Sequence, residues 1–329
     1  MIYYTNPVYS GYLADPFVWR HEGVYYAIGT GPAEAAGRVG ALPEGRIFPL
    51  LRSDNLADWQ YVGNALERPD PSPGDNFWAP EIADRDGIFY LYYSVGQGDK
   101  NHQLRVATGS EPSGPYRDTG EPLSAPDRHA FAIDPSPFRD SDGQWYLFYA
   151  TDFLDTENGV RAGTALVVDR LLTMTRLART PEVVLRARHD WQRFSRDRPM
   201  YGGIYDWHTL EGPCVRERDG RYYCFYSGGR WETENYGVDY AVAERVNGPY
   251  SDGGNESGPR VLRSVPGRVL GPGHNSIVGS PDGKSDYFVY HAWDPGMDAR
   301  RMCLDRLLWT PEGPRCSGPS WTPRAIEER

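Results

Sequence analysis

The stretch DGQWYLFYATD, residues 142–152, reads as an Asp-Gly turn followed by a strand rich in aromatic and aliphatic residues, one half of a β-hairpin. The chain repeats it as EGVYYAIGTG at 22–31, DGIFYLYYSVG at 86–96, DGRYYCFYSGG at 219–229 and, more raggedly, DGKSDYFVYHAWD at 282–294. The turn glycines are Gly23, Gly87, Gly143, Gly220 and Gly283, and the five units use up nearly the whole chain. Recurrent hairpins at this spacing are the mark of radial repetition, in which each unit is a small sheet that buries its faces on its neighbours. The expected fold is all-β, a five-bladed β-propeller forming a single domain over residues 1–329. The stretches 31–46 and 65–77, rich in turn residues, read as loop excursions that could build a rim.

Composition agrees. The 329 residues include 23 Tyr, 10 Trp, 37 Gly and 28 Pro, a mixture that favours strands and turns over helices. A formal net charge of -10 argues against a nucleic-acid partner, because neutralising phosphates takes an excess of Lys and Arg. No apolar run approaches the ~20 residues of a membrane span, and MIYYTNPVYSGYLADP lacks the basic start and apolar core of a secretion signal, so a cytoplasmic chain with no membrane partner is expected. Cys214, Cys224, Cys303 and Cys316 show no CxxC spacing. Cys214 and Cys224 flank the Asp219-Gly220 turn and would face each other in a hairpin, so a disulfide is open there beside the reading of buried free thiols.

The strand before each turn carries the informative variation: ADPFVWRHEG, PEIADRDG, IDPSPFRDSDG, LEGPCVRERDG and GHNSIVGSPDG. Each presents one ionisable residue ahead of apolar ones, namely Asp15, Glu81, Asp134, Glu211 and His274. Innermost propeller strands line the central channel, so these groups should converge near the axis. Gathering carboxylates is costly, because like charges in a desolvated cleft raise at least one pKa, and a fold does this for a site more readily than for stability. Taken singly, Asp-Pro and Glu-Gly-Pro are ordinary turn chemistry. Three in register favour a site.

With ADPFV, WAPEI at 78–82, IDPSPF at 133–138, EGP at 211–213 and GHNSIV at 273–278 in this order, the chain resembles glycoside hydrolase family 43. The resemblance implies a five-bladed propeller that hydrolyses arabinofuranosyl or xylopyranosyl linkages with inversion. It implies Asp15 as general base, Glu211 as general acid and Asp134 as the carboxylate that orients the acid and raises its pKa. An inverting glycosidase needs one ionised and one protonated carboxyl, spaced to admit a water. The resemblance further implies a calcium ion near the axis at His274, bound directly or through water, although one imidazole is a poor ligand set for a hard cation and a structural histidine is the alternative. Trp78 is expected to stack on a sugar face or else to belong to the core. Glu81 is expected to orient neighbours from the channel, and Arg300, or its neighbour Arg301, to bind sugar hydroxyls. His208 and His129 lie near the acidic motifs without a motif of their own. Tyr90, Tyr92, Tyr146, Tyr149 and Tyr223 read as blade packing.

The function expected is an exo-glycosidase that releases xylose or L-arabinofuranose from xylo- or arabino-oligosaccharides. An arabinan-degrading endo- or exo-enzyme and a glycan-binding propeller without chemistry are the alternatives. A retaining fructosidase is disfavoured, since neither an Asn-Asp-Pro-Asn start nor an Arg-Asp-Pro triplet is present.

Overall fold

The computed structural model describes residues 2–32, 46–124 and 131–326. The five turn glycines have φ between 72° and 86°, the left-handed backbone that a two-residue hairpin turn requires and that glycine adopts without cost. Around them the strands form five successive blades. Blade 1 runs Ala14–His21, Val24–Thr30, Arg46–Ser53 and Gln60–Glu67, and blade 2 runs Asn76–Arg85, Ile88–Gln97, Lys100–Gly109 and Arg117–Asp118. Blade 3 comprises Ala132–Arg139, Trp145–Phe153, Gly163–Thr173 and Glu182–Leu185. Blade 4 comprises Gly203–Arg218, Arg221–Gly228 and Gly237–Ala243, edged by Ser251–Asp252 and Leu262–Arg263. Blade 5 comprises Leu270–Gly279, Asp286–Trp293, Arg300–Thr310 and Gly313–Cys316.

The apolar core is divided among the joints between blades, one cluster to each. Ile28 and Leu50 of blade 1 meet Leu91 and Tyr93 of blade 2; Tyr92 and Leu104 meet Leu147 and Val167; Phe148 and Leu166 meet Leu210 and Tyr226; Phe225 and Val238 meet Phe288 and Tyr290. The fifth cluster joins Val289 and Leu304 of the last blade to Tyr25 and Leu51 of the first, which closes the ring. Ile2–Tyr4 pairs with Arg324–Ile326 beside that joint, and Asn6 donates to Leu304 O and Asp305. Burying each Leu, Ile or Phe in such a joint contributes roughly 1.5–3 kcal/mol, so the tyrosine-rich second strands hold the ring together. Among them Tyr92 and Tyr149 are buried and Tyr90, Tyr146 and Tyr223 pack against the clusters.

All four cysteines are free thiols. Cys214 lies opposite Phe225 and Cys224 opposite Val215, because the two-residue Asp219-Gly220 turn pairs Arg218 with Arg221 and the ladder runs unbroken from there to Cys214, which leaves the two cysteines one position out of register.

Beyond Cys214 the ladder slips, and such a slip occurs in every inner strand. The ladder breaks between Ala14 and Phe17, Trp78 and Glu81, Ile133 and Ser136, Glu211 and Cys214, and Gly273 and Ser276. Each break holds one left-handed residue: Asp15 (φ 49°), Ala79 (47°), Asp134 (58°), Gly212 (56°) and His274 (49°). Such a bulge turns a side chain out of the ladder, at a cost of order 1–3 kcal/mol for a non-glycine residue. It also releases a backbone N–H that must find another acceptor. At four joints the acceptor belongs to the preceding blade: Ala79 N–H donates to Thr30 Oγ1 (2.9 Å), Gly212 N–H to Asp134 Oδ2 (2.9 Å), His274 N–H to Ser227 Oγ (2.7 Å) and, across the closure, Asp15 N–H to His291 Nδ1 (3.1 Å).

Candidate active site

The bulges aim three of their side chains at one end of the axis, where a cavity of about 460 Å³ is lined by Asp15, Asp134, Glu211 and His274, with Trp78, Trp231 and Arg300 around them. Asp15, Asp134 and His274 occupy equivalent bulge positions in blades 1, 3 and 5. Glu211 precedes the bulge residue of blade 4 by one. In blade 2 the equivalent of Asp15 is Ala79, so Glu81 stands two residues further along its strand and does not line the cavity. It is half-buried with a hydrogen bond to Ser136, and desolvation raises its pKa to about 8.

Asp15 is surrounded by donors. Thr30 Oγ1 donates to its Oδ2 at 2.6 Å, and because Thr30 already accepts the Ala79 N–H, its own proton is directed at the carboxylate. Arg300 donates to Oδ1 at 3.2 Å, with Tyr12 Oη accepting from the same guanidinium at 3.2 and 3.3 Å and the Trp231 ring 4.6 Å beneath it. Burial by itself would raise the Asp15 pKa, but Arg300, then His274 and His291, hold it well below the usual carboxylate range. Both imidazoles are driven by burial towards the neutral form, His291 to about 4, so near neutral pH the Arg300 charge is the one that acts.

Glu211 has the opposite surroundings. Burial, then the facing Asp15 charge, raises its pKa to about 7, opposed by a hydrogen bond from Tyr236 Oη to Oε1 (2.6 Å) and by Arg300. Asp134 is raised well above its ordinary value by burial and then by Glu211 and Asp15, although it accepts the Gly212 N–H. Glu211 and Asp134 thus sit in one desolvated cluster with Asp15, and burial raises the proton affinity of both.

Arg300 and Arg301 separate cleanly. Arg301 is turned towards Asp294 (2.8 Å) and Ser10 O, whereas Arg300 faces the cavity. Arg300 donates to Asp15 and Tyr12 while it lines the cavity. Trp78 lines the cavity with the His102 ring stacked on it at 3.8 Å. Trp231 stacks on Trp293 at 5.5 Å and supplies a second aromatic wall.

Calcium takes ~6–8 oxygen ligands. His274 Nδ1 lies 3.4 Å from Asp15 Oδ1 and 4.0 Å from Asp134 Oδ2, and among the described residues no three His, Cys, Asp or Glu side chains are disposed to hold a metal. The His274 imidazole and the Asp15 and Asp134 carboxyls beside it are the protein groups near such an ion, and water would have to supply the rest of its shell. His208 lies in a separate depression with Arg161, Asp190 and Asp206, its Nδ1 3.0 Å from Asp206 O. His129 falls outside the described residues, as does 33–45, most of one loop expected to form a rim. Arg68, Asp75, Asn76 and Phe77 of the other loop do line the cavity.

One wall comes from a hairpin that the sequence reading missed. Arg193–Met200 pairs with the start of Gly203–Arg218, projecting the inner strand of blade 4 beyond Glu211. Phe194 from this hairpin lines the cavity, Arg198 is paired with Asp99 of blade 2 at 2.5 Å, and Tyr201 Oη donates to Asp152 of blade 3 at 2.7 Å. The hairpin is therefore tied to both preceding blades across the mouth. Also missed were Tyr12, Thr30, Ser227, Trp231, Tyr236 and His291. Three of these had a signal: each repeated aromatic strand ends in Thr30, Ser94, Thr151, Ser227 or His291, aligned with the strand segment that bulges.

A family model for glycosyl hydrolases family 43 matches residues 4–314. The chain belongs to glycosyl hydrolases family 43. This family-43 chain is 28% identical to a β-D-galactofuranosidase of Aspergillus niger, over 94% of its own length and 83% of the relative's. It is 27% identical to an extracellular exo-α-(1→5)-L-arabinofuranosidase of Cellvibrio japonicus, over 91% and 84%. The crystal structure of a thermostable family-43 glycoside hydrolase superposes with a TM-score of 0.82 at 29% identity, covering 99% of this chain and all of the other. The protein is accordingly a glycoside hydrolase on a five-bladed propeller.

Proposed function

We propose that this family-43 enzyme removes a single terminal pentose, L-arabinofuranose or xylose, from short oligosaccharides or side chains with inversion at the anomeric carbon. The observation that carries the reading is the opposed proton affinity of two carboxyls in one cavity, Asp15 held ionised and Glu211 held protonated up to about pH 7. Inversion needs that asymmetry: Asp15 takes a proton from a water as its oxygen bonds to the anomeric carbon, while Glu211 gives its proton to the departing glycosidic oxygen. The products are the inverted sugar and the free alcohol. The enzyme is left with Asp15 protonated and Glu211 ionised, and solvent exchange restores both. Asp134 fixes the strand that carries Glu211 through the Gly212 N–H. The hairpin tied to Asp99 and Asp152 supports exo action, because a mouth walled on that side favours a chain end over a continuous polymer. The furanosidases among the relatives support arabinofuranose as the first sugar to try.

The test is proton NMR of the enzyme with 4-nitrophenyl α-L-arabinofuranoside and 4-nitrophenyl β-D-xylopyranoside, reading the first anomer released before mutarotation. Inverted sugar from either supports the reading, and the ratio of rates ranks the substrates. Release of the retained anomer would overturn the roles given to Asp15 and Glu211. Cleavage of linear arabinan with neither glycoside turned over would replace exo by endo action.

A further inference from the structure

Glu211 has two carboxyl oxygens and, as an acid, must carry its proton on the one that faces the leaving group. The residues behind it form a chain of hydroxyls with a fixed direction. His274 N–H, a backbone donor that cannot accept, points at Ser227 Oγ at 2.7 Å. Ser227 is fully buried and reaches the Tyr236 phenol, so its own proton goes there. With its oxygen accepting from Ser227, Tyr236 has its proton free for Glu211 Oε1, 2.6 Å away.

We propose that Tyr236, oriented by Ser227 and the His274 amide, is a positioning residue for the acid: it keeps Oε1 an acceptor and so confines the proton to Oε2. The inference rests on Glu211 being the acid of the reaction. Tyr236 is itself held rigidly. It is fully buried and stacked on His291 at 5.9 Å with planes 9° apart, and the absence of a side chain at Gly273 makes room for it, since a Cβ there would lie 2.2 Å from the ring. The same hydrogen bond makes Glu211 a stronger acid, because it stabilises the carboxylate left after proton transfer. The other titratable or charged groups facing Glu211 are Asp15, Asp134 and Arg300, and all three are retained when the phenol is replaced by a benzyl ring.

The experiment is a pH titration of the Glu211 side-chain carboxyl by 13C NMR of the full chain labelled at glutamate, assigned by the signal missing from Glu211→Gln. Tyr236→Phe is expected to move the midpoint upward by about one pH unit, and Ser227→Ala to move it the same way by less. In parallel, Tyr236→Phe should lower kcat by about tenfold more on a methyl glycoside than on a 4-nitrophenyl glycoside, with KM unchanged, since only the poor leaving group needs a full proton. An unmoved midpoint in folded Tyr236→Phe overturns the proposal. If that variant fails to fold, an unmoved midpoint in Ser227→Ala does so. The titration needs no substrate, so a wild-type enzyme that hydrolyses neither glycoside counts against the proposed function alone.

Discussion

Blade 1 and blade 4 present their carboxyls from the same local structure, a left-handed bulge in the inner strand, yet the two groups hold protons with opposite strength. The difference lies in what the neighbouring strands bring. Asp15 receives a guanidinium on one oxygen and a hydroxyl on the other. Glu211 receives one phenol and faces the Asp15 charge, which raises its pKa. The backbone thus sets where a carboxyl goes, and residues of the surrounding strands and loops set what it does there.

The contrast can be broken most severely at the carboxyls themselves. Asp15→Asn is expected to lower kcat by about 10⁴-fold on every substrate, whereas Glu211→Gln should do so on alkyl glycosides and cost under about tenfold on 4-nitrophenyl glycosides. Steady-state rates on the paired substrates check this, and equal losses in both variants would dissolve the distinction.

The next lever is the charge that separates the two. In the wild type, kcat/KM should fall above about pH 7, where Glu211 ionises, and stay level through mildly acid pH because Asp15 remains ionised. Replacing Arg300 by Met removes the main opponent of burial at Asp15, so the acid limb should move up by at least about one unit. Stability carries the opposite sign for the two groups. Glu211 and Glu81 bind protons more tightly folded than unfolded, so between pH about 4.5 and about 8 their contribution declines as pH rises. The Asp15 contribution is present above the ordinary Asp value and is lost on acidification below it. Melting temperature against pH in Glu81→Gln, compared with wild type, isolates one member: the decline towards pH 8 should be shallower.

The smallest effect is expected from Thr30→Val, which removes one donor from Asp15 and strands the Ala79 amide. A loss of about 1–3 kcal/mol of stability, with a fewfold drop in kcat/KM, follows from one buried unsatisfied group. Chemical denaturation together with kinetics measures both.

The hairpin repeats made the propeller legible, and counting back from each turn acid made the cluster legible. That same count held a correction. Asp15 lies seven residues before Glu22, and the residue seven before Asp86 is Ala79, not Glu81. Ionisable character drew the reading to the wrong position, and the bulge shows that blade 2 offers only a methyl there. The rim hairpin also left a trace, since Gly143 to Gly220 is the widest gap between turn glycines. Its ties to Asp99 and Asp152 left none, because pairing across blades depends on how the ring closes. Tyr236 was hidden for another reason: as one tyrosine among 23 it carries no motif, and only the glycine opposite its ring marks it out.

The joint between the last blade and the first has a consequence for how the enzyme comes into being. Asp15 belongs to the first blade, while Arg300, His274 and His291 belong to the last. A nascent chain that had emerged only as far as Leu270 would contain Asp15, Asp134 and Glu211, yet of the partners that keep Asp15 ionised it would hold Thr30 alone. Catalytic competence is therefore acquired only once the last blade has been made and has closed on the first, and hydrolysis is a report that the circle has been completed.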